Sequence, residues 1–235
     1  GCLRGTMDFF EDFAKLNALV SKSNPVALSM TTLFYLYIML AVIIRPENRK
    51  RRKEAIEILL AETEERIKSG AGIAEKGAPR IILGAVPSMV DPTIDILIRE
   101  LGLVIPVVET ECFPPNADFM PSTKNSDTLA DPYIALSTLF TISPLVGSLS
   151  SRIPNLIKAC EKFDIQGAIL LLHYSCRPFA TDALMVKDAL KKELNIPVLV
   201  LEADLYDPRY YTCGQLRTRL ESFAEMIKTK SFAIV

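Results

Sequence analysis

The rhythm of apolar positions changes near residue 79. Before it, apolar side chains recur at helical spacing. MDFFEDFAKLNALVSK places them at positions 9, 10, 13, 16, 19 and 20, which is one face of a helix. Asn24-Pro25 interrupts the pattern, because proline offers no amide to a helix interior. PVALSMTTLFYLYIMLAVII then runs from 25 to 44 without a charge. After Pro46, ENRKRRKEAIEILLAETEERIKSG predicts a helix whose stripe is Ile56, Leu59, Leu60 and Ile67, ended by Gly70 and Gly72. Beyond Pro79, short apolar runs alternate with amphipathic ones. RIILGAV (80–86), LVIPVVET (103–110), GAILLLH (167–173) and VLVLEAD (198–204) read as strands, continuously apolar as strands covered on both faces are. Helices are predicted over 92–102, about 129–142, 152–163, 180–195 and 214–230.

Four apolar strands separated by helices pack most naturally as α/β: a doubly wound parallel four-stranded sheet, Rossmann-like, preceded by a helical segment. The change of rhythm divides the chain into a helical bridging region, 1–75, and a parallel α/β domain, 76–235. Ligands of such sheets bind beyond the carboxyl ends of the strands. The segments there are SMVD (88–91), ETEC (109–112), HYSCRP (173–178) and EADLYDPRYY (202–211). No GxGxxG or Walker A sequence opens a helix, so neither a dinucleotide nor ATP is indicated as this chain's own ligand.

Composition narrows the classes. Hydrophobic residues make up 49% and charged residues 23%, the balance of a globular chain. A net charge of -1 supplies no excess of cations to neutralise phosphates, which argues against nucleic acid. Five cysteines (Cys2, Cys112, Cys160, Cys176, Cys213) are widely spaced and form no CxxC pair. That pattern suits a reducing cytoplasm rather than a secreted disulfide framework. His173 is the only histidine, which excludes a histidine-rich metal site. The run 25–44 is long enough to span a bilayer, with RPENRKRRK as a basic flank, or it is a buried helix. Ser29, Thr31 and Thr32 favour the buried helix. The basic residues Arg49 to Lys53 are followed closely by acids on the same helix, the pattern of a solvated face.

The end of the chain carries the most specific signal. HYSCRP, a helix, then NIPVLVLEADLYDPRYYTCGQLRTRLESFAEMI resembles the close of 2-hydroxyacyl-CoA dehydratase and benzoyl-CoA reductase subunits. The matching positions are Cys176, Pro197, Leu199, Glu202, Asp204, Gln215, Thr218, Arg219, Glu221, Phe223 and Glu225, over about fifty residues. Upstream, PRIILGAVPSMVDPTIDILIRELGLVIPVVETEC is similar to the family's strand-helix-strand, and the resemblance also favours a buried helix over 25–44. The resemblance implies an oxygen-sensitive, cytoplasmic enzyme subunit. It would share a 4Fe–4S cluster with a homologous dehydratase subunit and receive an electron from an ATP-dependent activator protein. The substrate would be an acyl-CoA thioester, dehydrated through a ketyl radical or, in the reductase variant, reduced at its ring. Full-length members carry further ligand cysteines in an amino-terminal α/β domain that has no counterpart here. The expectation is a piece of such a subunit or a short paralogue. The rival is a non-catalytic assembly or electron-transfer component that has lost the substrate chemistry.

On this resemblance Cys176 is the foremost candidate metal ligand, against the ordinary fate of a buried free thiol. Cys112 is a second candidate, while Cys160 fits core packing and Cys213 has a small redox case. His173 is a candidate proton-transfer group, or a strand-end histidine satisfied by a neighbour. Arg177 could hold a CoA phosphate or balance cluster charge. Glu202 and Asp204, two apart on a strand, should share a face and either orient substrate or pair with Arg209 or Arg219. Ser122, Thr123 and Lys124 lie in a long polar loop that is a mobile surface loop by default, or a lid that would help shape the acyl-CoA site.

Overall fold

The computed structural model describes residues 2–42, 48–88, 91–109, 133, 148–210 and 212–232. Three helices come first: α1 (Cys2–Lys22), α2 (Met30–Val42) and α3 (Arg49–Lys68). They are followed by β1 (Arg80–Gly84), α4 (Thr93–Glu100), β2 (Val104–Val108), α5 (Leu149–Lys162) and β3 (Gly167–His173). The chain closes with α6 (Arg177–Leu194), β4 (Val198–Ala203), a short 3-10 turn (Pro208–Tyr210) and α7 (Cys213–Phe232). All four predicted strands form, each ending within two residues of its expected limit. The expected helix over 129–142 lies outside the described residues, Tyr133 apart.

The strands form one parallel sheet in the order β2-β1-β3-β4. From β1 the chain first moves outward to β2, then crosses back past β1 to β3 and on to β4. This reversal makes the gap between the ends of β1 and β3 the topological switch point, where such sheets open a crevice. Two apolar layers cover the sheet, as a doubly wound fold requires. One gathers Ile81, Leu83, Ile169, Leu171 and Leu201 with side chains from α1, α4 and α7. The other gathers Ile82, Ala168 and Leu170 with Leu156 and Cys160 of α5 and Val186 and Leu190 of α6. Close approach is built into the first layer at Gly167, where a Cβ would stand 2.6 Å from Ile227 Cδ1 and 2.9 Å from Phe223 Cζ of α7.

The helical segment joins the first layer. Phe13, Leu16, Leu33 and Ile56 are buried in the same cluster as β1 and β2. Arg80, at the start of β1, ties the parts together. Its Nε donates to Phe163 O at 2.7 Å, and its Nη1 and Nη2 donate to Ser23 O and Ser21 O at the end of α1. Within the charge-free run the helix is buried on one side and carries the exposed Met39 near its end. α2 is 13 residues long, packs against β2, and buries Leu33 and Phe34. Among the described residues no helix is long and apolar enough to cross a membrane.

One expectation about α3 needs correction. Lys50 and Lys53 do lie on a solvated face, reaching Glu54 and Glu57 one turn on. Arg52 does not: it is buried, with its guanidinium 5.5 Å from the Phe9 ring centroid. The reason is periodicity, since position 52 falls four residues before Ile56 on the stripe that packs toward α1.

Candidate functional site

The carboxyl ends of β1 and β3 are joined directly at the switch point. His173, last residue of β3, is fully buried, and its Nε2 lies 2.6 Å from Val86 O, just past β1. A carbonyl can only accept, so Nε2 carries the proton and Nδ1 holds the lone pair. Nδ1 is buried and has no hydrogen-bond partner among the described residues. Burial pushes the His173 pKa down, against the opposing pull of the Val86 hydrogen bond and Asp204, so the ring is neutral near pH 7.

Beyond His173 the chain turns sharply into α6. Tyr174 N donates to Ala203 O, and Cys176 N donates back to His173 O at 3.0 Å. Cys176 is the N-cap residue of α6, half-buried against the apolar layer, and Arg177 opens the helix exposed to solvent. The thiol therefore stands at the positive end of an 18-residue helix, where unpaired amides favour negative charge. Tyr174 and Tyr206, in the turns after β3 and β4, are 73% and 66% exposed.

A second turn, after β4, is held to the first. Ser175 Oγ donates to Asp204 Oδ2 at 2.6 Å, while Asp204 Oδ1 accepts from Tyr206 N and Asp207 N. These hydrogen bonds, that from Ser175 foremost, hold the Asp204 carboxyl below its usual pKa. Arg209 folds back on Asp207, whose pKa falls to about 2.

The third component lies at the end of β2. Glu109 is completely buried and accepts two bonds from Arg152 of α5: from Nε to Oε1 at 2.6 Å and from Nη2 to Oε2 at 2.9 Å. Its Oε2 also accepts from Ala85 N at 2.8 Å. Ala85 has φ 71°, a conformation unusual for a residue with a Cβ, and that amide bond holds it there. Gly84, just before it, leaves no room for a side chain, because a Cβ would sit 2.4 Å from Leu170 Cδ2 and 3.4 Å from Glu109 Oε2. The Arg152 guanidinium lies 4.9 Å from the Phe179 ring centroid, and its Nη1 is 3.6 Å from Asp182 Oδ2. Burial works against the Arg152 charge, but the bonds and attraction of Glu109 and Asp182 prevail and raise its pKa.

The structure brings His173, Cys176 and Arg177 to one edge, as the sequence anticipates. It does not bring Glu202 to His173. Residue 202 pairs with Leu172 and residue 203 with His173, so Glu202 and His173 project from opposite faces of the sheet. Glu202 is exposed. The expected pairing of Glu202 or Asp204 with Arg209 or Arg219 is also replaced. β4 ends at Ala203, so Asp204 belongs to the turn and not to the strand alternation. Arg209 is bound to Asp207, and Arg219 Nη2 donates to Val200 O. Cys160 is core packing as expected, its thiol pushed up to about 12 by burial, with Glu109 adding to the effect. Cys112, Ser122, Thr123 and Lys124 lie outside the described residues.

Arg152 escaped sequence reasoning because a cation in an amphipathic helix reads as a surface residue. Glu109 carried a signal: a carboxylate that ends a fully apolar strand has no solvent on either face and requires a buried cation.

Among the described residues no three His, Cys, Asp or Glu side chains gather as a metal would need. Comparison with known proteins adds the context. A family model described as "2-hydroxyglutaryl-CoA dehydratase, D-component" matches residues 11–227. The chain is 29% identical over 83 residues to a benzoyl-CoA reductase subunit of Thauera aromatica, covering 35% of this chain and 19% of that protein. It is 29% identical over 103 residues to putative dehydratase subunit YjiM of Escherichia coli (strain K12), covering 43% and 24%. It is 24% identical over 199 residues to the (R)-2-hydroxyisocaproyl-CoA dehydratase alpha subunit of Clostridioides difficile, covering 84% and 46%. The chain thus spans less than half the length of these curated relatives.

Proposed function

The chain belongs to the 2-hydroxyglutaryl-CoA dehydratase D-component family, and from that premise we propose that it forms part of a cytoplasmic acyl-CoA dehydratase or benzoyl-CoA reductase-type subunit. The substrate class is a CoA thioester, either a 2-hydroxyacyl-CoA losing water or an aryl-CoA reduced at the ring. The partners are a homologous subunit and an ATP-dependent activator that delivers electrons. The observation that carries this reading is Cys176, a half-buried thiol at the N-cap of α6 beside the switch-point crevice.

That thiol fits one ligand of an iron–sulfur cluster. A thiolate suits the positive end of α6, and the half-exposed position leaves one side open to a cluster. The other thiolates of a 4Fe–4S cubane come from outside the described residues, Cys112 being one candidate in this chain. The cluster, when bound, supplies single electrons to the thioester.

The remaining roles belong to this chain's own side chains. Arg177, exposed one residue after Cys176, offers its guanidinium to a CoA phosphate. His173 is neutral and fully buried, so taking a proton at Nδ1 requires the edge to open around it. Glu202, on the opposite face, acts on substrate only outside this crevice, as an orienting charge.

The test is turnover. The chain, combined with its homologous partner subunit and the activator under anaerobic conditions, should dehydrate a 2-hydroxyacyl-CoA or reduce benzoyl-CoA. Cys176→Ser should abolish that turnover. Full turnover with Cys176→Ser contradicts the reading.

A further inference from the structure

One guanidinium at the ligand edge holds four elements together. Arg152 belongs to α5 and is 3% exposed. Its Nε and Nη2 clasp both oxygens of Glu109 at the end of β2, and Glu109 passes the contact on to the Ala85 amide after β1. Its remaining nitrogen, Nη1, is directed to Asp182, and its ring-contacting face to Phe179. Phe179 and Asp182 lie three and six residues after Cys176, in the first two turns of α6. Spacing of three places both on one helix face, the face turned toward Arg152.

We propose that Arg152 is a positioning residue: it pins the first two turns of α6, and with them Cys176, to the ends of β1 and β2. The proposal deepens the functional reading above, since it rests on Cys176 being the reactive group of this edge. Its physical basis is geometric. A planar fork bound through two coplanar bonds has its orientation fixed, so Asp182 and Phe179 have one docking position against it. A buried ion pair adds little net stability compared with apolar packing, because desolvation offsets most of the attraction. What this pair supplies is register between a helix and two strands.

Thiol reactivity tests this without any cluster. The full chain, reduced and metal-free, is treated with iodoacetamide, and labelling of each cysteine is followed by peptide mass. Cys213, exposed at the start of α7, is the internal reference, and Cys160 stays unlabelled because it is buried. Arg152→Lys keeps the charge beside Glu109 but loses the fork. It should raise the Cys176 rate about threefold or more relative to Cys213, as the first turn of α6 opens locally. Asp182→Asn, which removes the charge of one of the two α6 contacts and leaves Phe179 in place, should act in the same direction with a smaller factor. General loosening of the fold would also label the buried Cys160 and would overturn the proposal, as would an unchanged Cys176 to Cys213 ratio in both folded variants. Should Arg152→Lys fail to fold, the Asp182→Asn ratio decides alone. An altered ratio leaves the positioning role standing even where the chain purified with its partner subunit binds no iron, a result that would remove the cluster reading alone.

Discussion

Two carboxylates lie at the carboxyl end of the sheet, after its two outermost strands, and they are held in contrasting ways. Glu109, after β2, meets a cation: a bidentate guanidinium inside a closed interior. Asp204, after β4, is also buried but is held by neutral donors, the Ser175 hydroxyl and backbone amides, among exposed neighbours such as Ser175 and Tyr206. The difference assigns them different work. A buried charge whose partner is removed leaves an uncompensated ion in low dielectric, so the Glu109 pair is part of the scaffold. A carboxylate held by hydroxyl and amide donors of two turns ties those turns together without placing a second charge in the interior. The cysteine stands between the two, on a turn that is tied to Asp204 through Ser175 and on a helix that is tied to Glu109 through Arg152.

Removing the buried partner should have the largest effect. Glu109→Gln is expected to cost about 3–5 kcal/mol in urea unfolding, because Arg152 is left buried without its counter-ion. Glu109→Gln combined with Arg152→Met should cost clearly less than the sum of the two single changes. Additive costs would contradict the pairing.

His173 lies between the two carboxylates and gives a pH signature. Its folded pKa is lowered by burial, so below the ordinary value near 6.5 the unfolded chain binds more protons than the folded one. Stability from this group is complete above pH 6.5 and falls as the pH drops toward the folded pKa, with a slope of at most about 1.4 kcal/mol per pH unit. His173→Gln should flatten that part of the profile, measured as urea midpoint from pH 7 down to pH 5. A slope unchanged by the substitution would mean that the ring is protonated in the fold.

Ser175→Ala should have the smallest effect, a Tm shift of about a degree at pH 7. Asp204 has a lowered folded pKa, so its contribution is present above the ordinary value near 3.8 and is lost as the pH falls through the folded one. The Tm difference between Ser175→Ala and the parent should therefore close at strongly acid pH. A Tm loss as large as that of Glu109→Gln would erase the contrast between the two carboxylates.

Much of this architecture is legible in the residues. Four continuously apolar runs can be little else than strands covered on both faces, and strands alternating with helices force parallel pairing through crossovers. Cys176 is legible as an edge residue because GAILLLH ends three residues before it. Partners distant in sequence were hidden. Glu109 and Arg152 are 43 positions apart, and no periodicity connects a strand end with a helix face that only tertiary packing brings together. Arg52 was hidden for a related reason, since a charge within a basic run gives no sign that its guanidinium lies over Phe9. Glu202 was misleading because alternation decides its face but not which face holds the crevice; the register with β3 decides that.

The most direct test of the central claim is iron and acid-labile sulfide content after anaerobic purification with the homologous partner subunit. Parent protein should be compared with Cys176→Ser and with Cys213→Ser. The account predicts iron and sulfide in the parent and in Cys213→Ser, and their loss in Cys176→Ser. Equal iron in all three would contradict the assignment of Cys176 as the thiolate that this edge is built to present.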